Sequence, residues 1–135
     1  MTIALTACWF LAALVCPPDN GQMVTGWLSQ YAEAPTVGTI AYRQMVGDLP
    51  QDLSSFDGFI AVADCGRIGD MAWLSIKGGP LERVAVMDCS GHIETTEWMI
   101  SNSIIAEVDY WMAERYGLDG GDSALLFWDV QEEQR

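Results

Sequence analysis

Two aspartates stand in matching contexts, Val62-Ala63-Asp64-Cys65 and Val86-Met87-Asp88-Cys89, each ending an apolar run and each followed directly by a cysteine. Paired carboxylates can do general acid–base work: one protonates a leaving group, and the other stabilises positive charge or activates water. Like charges held close push one pKa upward, so such a pair can also keep a protonated acid near neutral pH. The competing reading is structural, with each aspartate hydrogen-bonding the backbone amides of its own loop. The symmetry of the two Asp-Cys pairs favours such a shared device. His92 lies four residues after Asp88 in a loop opened by Gly91 and could donate or accept a proton there, although a lone loop histidine is more often simply solvated.

Aromatic faces on which a flat ligand could stack are supplied by Trp27, Tyr31, Trp98, Tyr110, Trp111 and Trp128. Most are expected in the core, because large aromatics are usually buried. Trp98 and Trp111 are the expected exceptions, lying beside a polar loop and off the inward stripe of a helix. No metal site is implied: there is no CxxC, and the single His92 cannot complete a tetrahedral zinc site without carboxylates. No cofactor motif is present, so no cofactor is expected.

The elements that must position these groups are short. Gly26-Trp27-Leu28-Ser29-Gln30-Tyr31 reads as a first strand, and residues 32–53, with Pro35, Gly38, Gly47 and Pro50, read as loop apart from a short strand at Thr39-Ile40-Ala41-Tyr42-Arg43. Phe59-Ile60-Ala61-Val62-Ala63 has strand composition without polar alternation, which predicts burial on both faces. Ala72-Trp73-Leu74-Ser75-Ile76 and Arg83-Val84-Ala85-Val86-Met87 are strands joined by a turn at Lys77-Gly78-Gly79-Pro80. A helical turn is predicted around Thr95–Ile100, broken by Ser101-Asn102-Ser103. Asp109 is placed to cap a helix whose Met112, Ala113 and Tyr116 face inward and whose stop is Gly117. Glu107 and Asp109 both fall at that helix start, where the macrodipole favours negative charge. Ser123 to Val130 makes the final strand.

This order of elements resembles the double-psi β-barrel of the rare lipoprotein A, barwin and expansin group. The first strand is similar to the group's Gly-x-Ala-Ser-x-Tyr, Asp88-Cys89-Ser90-Gly91 stands at its Asp-Arg-Gly-Pro motif, and Glu107-Val108-Asp109 stands at its Asp-Leu-Ser motif. Arg67-Ile68-Gly69-Asp70 parallels its Leu-Pro-x-Gly-Thr corner. The resemblance covers residues 26–130, and the layout survives better than the letters. It implies a mainly β, six-stranded double-psi barrel with one or two short helices. It also implies a polysaccharide groove in which Asp88 matches the catalytic aspartate of lytic transglycosylases and Tyr31 lines the groove. The group's histidine falls at Ala63 or Asp64, so that histidine is missing, and Asp64 and Asp88 are the carboxylates the fold would bring together.

Composition bounds the partners. The 135 residues suit one domain, and six basic against 19 acidic side chains give a net charge of −13. That charge repels nucleic-acid phosphates and anionic lipid headgroups, so nucleic acid is excluded as a partner class. Residues 1–18 read as a signal peptide, since Met1 to Cys16 carries no charge and is too short to span a bilayer; the alternative is a buried N-terminal segment. Asp19 to Thr25 reads as a linker and residues 131–135 as a tail, leaving no membrane span in the mature domain. In a secreted barrel, Cys65 and Cys89 would join neighbouring loops as a disulfide; in an intracellular protein they would be free thiols. The expectation is a secreted or envelope-associated protein that binds or remodels cell-wall glycan, cleaving it through Asp88 with Asp64, with Tyr31, His92, Trp98 and Trp111 contacting substrate. The alternatives are a non-catalytic carbohydrate-binding or structural barrel and an intracellular interaction domain. Oligomeric state is not legible.

Overall fold

Alternation along each strand decides which side chains meet the core, and here the two sides of the strands serve two different cores. The computed structural model describes residues 22–128. The proposed leader, the start of the linker, Asp129-Val130 and the tail lie outside the described residues. Six strands, β1 (Gln22–Gln30), β2 (Gly58–Val62), β3 (Met71–Ile76), β4 (Leu81–Cys89), β5 (Ile104–Val108) and β6 (Asp122–Trp128), close into a barrel in the order β1-β5-β2-β4-β3-β6. Pairs β1/β5 and β2/β4 are parallel, and the rest are antiparallel. The chain is mainly β, as the sequence predicts. β1 takes in residues 22–25, which composition placed in a linker.

Leu28, Ile60, Leu74, Ile76, Val84, Val86, Val108 and Leu126 point into the barrel, each about 0–1 % exposed. Burying each such side chain contributes roughly 1.5–3 kcal/mol before chain entropy is counted. The intervening residues of β2 and β4, Phe59, Ala85 and Met87, form a second core outside the barrel with Ile40 and Leu49. This explains why every residue of β2 is buried.

The cover over that second core is a helix, α1 (Glu33–Val46), in a segment whose sequence reads as loop with a short strand at 39–43. Two residue types misled that reading. Pro35 sits in the first helical turn, where the missing N–H has no intrahelical partner to lose. Gly47 ends the helix in the left-handed region at φ 90°, its N–H bonding back to Arg43 and Gln44. Among the described residues the α-helices therefore number three, against the one or two expected.

The other two helices follow the sequence closely. α2 (Ile93–Ser101) covers the predicted helical turn, and α3 (Tyr110–Tyr116) starts where Asp109 caps it and stops at Gly117. The Asp109 carboxylate accepts from the Met112 amide at 2.7 Å and, through its other oxygen, from the Phe59 amide of β2 at 2.6 Å. One buried aspartate thus ties a helix start to a strand. Glu107 is not at the helix start; it lies in β5 and accepts from the Ser29 hydroxyl at 2.7 Å. No helix among the described residues is long and apolar enough to cross a membrane.

Candidate functional site

Asp88 reaches the surface because β4 carries one extra residue. Ile60 pairs with Val86, yet Ala61 pairs with Asp88, so Met87 is bulged. Strict alternation from Val84 and Val86 would turn Asp88 into the barrel. The bulge instead puts it opposite Ala61, on the outer side, next to α1. A matching bulge lies in the other parallel pair, where Trp27 pairs with Ile104 and Leu28 with Ala106.

Both oxygens of Asp88 are occupied. Tyr31 donates its phenol to Oδ2 at 2.8 Å, and Arg43 of α1 donates Nη2 to Oδ1 at 3.1 Å. Arg43 also donates Nε to the Met87 carbonyl at 2.9 Å and Nη1 to Asp48 at 3.1 Å. The bulged residue and the carboxylate after it are therefore held by one guanidinium, whose rigid fork suits several acceptors at once. Burial, then the bond to Asp88, pushes the Tyr31 phenol well above the ordinary tyrosine range, so it remains a donor at any physiological pH. Asp88 stays 28 % exposed, which leaves acceptor lone pairs open to solvent. Tyr31 also lines a cleft of about 300 Å³ with Gln30, Ala32, Tyr110, Glu114 and Leu118.

The remaining site candidates make no bond to Asp88 or Tyr31 among the described residues. Asp64 is exposed and accepts from the Gly66 amide at 2.9 Å, capping the short 3-10 turn Cys65–Arg67. His92 is exposed at the N-cap of α2 and makes no side-chain capping bond. Trp98 and Trp111 are exposed by 48 % and 45 %, in line with the sequence. Among the described residues, no hydrogen bond or ion pair joins Asp88 or Tyr31 to Asp64, His92, Trp98 or Trp111. Nor does any group of three or more His, Cys, Asp or Glu side chains there converge as metal ligands do.

No protein-family model, curated protein or solved structure matches this chain. The site is therefore read from its own chemistry. Cys65 and Cys89 are joined by a disulfide, with a Cα–Cα separation of 4.8 Å across 24 residues of sequence. It fastens the end of β4, one residue beyond Asp88, to the turn that Asp64 caps. Tyr31 and Asp88 are singled out by the sequence, whereas Arg43, which ties Asp88 to α1, is not. Its signal was present: Ile40 and Arg43 are three apart and share one face of a helix, provided the segment is read as helical.

Proposed function

We propose that the chain is a secreted double-psi β-barrel domain that binds cell-wall polysaccharide at the rim formed by Tyr31, Asp88 and Arg43. The observation that carries this reading is the doubly bonded, partly exposed Asp88 carboxylate beside a phenol and a cleft. A fixed carboxylate with free lone pairs accepts from sugar hydroxyls, and the neighbouring aromatic edge and backbone orient the ring. The closed six-stranded barrel with two bulged parallel pairs is compatible with a double-psi barrel. The disulfide accords with an oxidising compartment.

Binding is favoured over cleavage for a chemical reason. Both oxygens of Asp88 already accept, from a guanidinium and a phenol, an arrangement that suits a fixed acceptor for sugar hydroxyls. Asp64, the partner carboxylate in the cleavage reading, is engaged with its own turn.

Co-sedimentation of the folded protein with purified insoluble wall polysaccharide tests the reading, with soluble fragments assayed in the supernatant. Wild type should sediment and release nothing. Asp88→Asn and Tyr31→Phe should each lower the bound fraction, with apparent affinity falling about tenfold, equivalent to ~1.4 kcal/mol. Wild type that stays in the supernatant would dismiss the binding function, and fragment release lost in Asp88→Asn would establish cleavage instead.

A further inference from the structure

A second groove, larger than the cleft beside Tyr31, lies away from Asp88. It lies on the outer face of β1, β6 and β3, has a volume of about 430 Å³, and is lined by Trp27, Thr25, Ser75, Ser103 and Ser123. Register explains how these residues meet. Thr25, Leu125 and Ser75 lie in one row across the three strands, and Trp27 pairs with Ser123 in the next. Their inward neighbours Ala124, Leu126, Leu74 and Ile76 belong to the barrel core, so this row faces outward. Trp27 is 46 % exposed.

The ends of the groove are fixed by backbone. The Ser103 carbonyl accepts from the Trp27 amide at 2.9 Å, an approach that Gly26 permits, since a Cβ there would lie 2.4 Å from that oxygen. Ser103, which lines the groove, and Lys77, next to the lining Gly78, are the non-glycine residues with positive φ among those described, both at 54°. Such conformations are held only where the surroundings determine them. Ser75, only 1 % exposed, donates to the Gly79 carbonyl at 2.7 Å and closes the floor of the groove.

We propose that this groove is a second binding site, taking an uncharged sugar ring stacked on the Trp27 indole. The chemistry of the lining selects the ligand. An indole plane flanked by the exposed hydroxyls of Thr25, Ser103 and Ser123 matches a pyranose, whose C–H face is apolar and whose rim is hydroxyl. No charged side chain lines the groove, and Lys77 at its end is paired with Asp122 at 2.9 Å. A net charge of −13 disfavours anionic ligands in general. An extended peptide is excluded as a strand-adding ligand, because β1, β6 and β3 are each paired on both sides in the closed barrel. The volume lies within the about 300–1,000 Å³ typical of small-ligand sites. This site shares no residue with the Tyr31–Asp88 rim and stands without it.

The test is an amide and indole NMR titration of the full protein with cellotriose and, separately, chitotriose. At least one should shift the Trp27 indole N–H and the amides of Thr25, Ser75 and Ser123. Trp27→Ala should weaken that binding at least tenfold, while Asp88→Asn leaves it unchanged. Should Trp27→Ala fail to fold, Ser123→Asp places a carboxylate at an exposed position in the groove and should abolish the same shifts. Shifts confined to the Tyr31–Asp88 rim, or no shifts with either sugar, would overturn the proposal. Sedimentation on insoluble wall polysaccharide that persists in Trp27→Ala would leave the rim reading standing by itself.

Discussion

The Tyr31 phenol and the Asp88 carboxylate meet at 2.8 Å although 57 residues separate them in sequence. Tyr31 follows the end of β1, which runs parallel to β5, and its amide donates to Val108 at 2.8 Å. Asp88 closes β4, beside β2, and β5 pairs with β2. Both residues therefore stand at neighbouring strand ends, and α1 brings Arg43 to the same point.

Removing the guanidinium fork should be felt more than removing the phenol. Arg43 bonds Met87, Asp48 and Asp88, so Arg43→Met leaves a backbone carbonyl and two carboxylates without their donor. The expected loss is roughly 2–3 kcal/mol, against about 1 kcal/mol for Tyr31→Phe. Urea denaturation of the two variants checks the order. Arg43→Lys should recover little, because one ammonium cannot replace the fork.

Asp109→Ala should cost more than an ordinary lost helix cap. The carboxylate is 1 % exposed and satisfies the amides of both Met112 and Phe59, so its removal orphans a donor in α3 and another in β2. A loss of roughly 2–3 kcal/mol is expected rather than the ~1 kcal/mol of a typical N-cap. A midpoint shift no larger than that of an exposed cap would show that the strand contact is dispensable.

The Cys65–Cys89 disulfide closes 24 residues of sequence, and opening it should lower stability by about 3 kcal/mol through the unfolded chain. Intact-mass measurement after alkylation without reductant should show no label at either cysteine. The paired Cys65→Ser, Cys89→Ser variant should unfold at lower urea and lose binding in parallel, since Asp88 adjoins the bond.

Stability should fall at alkaline pH. Burial, and then a hydrogen bond to Glu82, pushes the Tyr116 phenol up to about 12, and Tyr31 is raised in the same way by burial and Asp88. Unfolded tyrosines ionise near about 10, so above that pH the unfolded state binds fewer protons than the folded one and stability declines as pH rises. Below it, the contribution is fully present. Urea midpoints measured from pH 8 to 12 should bend downward near about 10, and Tyr116→Phe should soften the bend. A wild-type midpoint constant across that range would contradict the raised phenols.

The sequence by itself determined what short-range pattern can determine. The unbroken apolar run at 59–63 marked a strand buried on both faces, Asp109 and Gly117 marked both ends of α3, and Trp98 and Trp111 were placed at the surface by their position relative to that pattern. The matched Asp-Cys pairs foretold the disulfide once a barrel was assumed. Tertiary structure decided the rest. Helix α1 is held by Ile40 packing on Phe59 and Met87, contacts to other strands that outweigh its Pro35 and Gly38. The outward turn of Asp88 depends on a one-residue bulge, and because strand side chains alternate with period two, a single residue moves the carboxylate from one face to the other. No local signal in 84–89 announces that slip; it is set by the register against β2, and only that register lets Arg43 and Tyr31 reach Asp88.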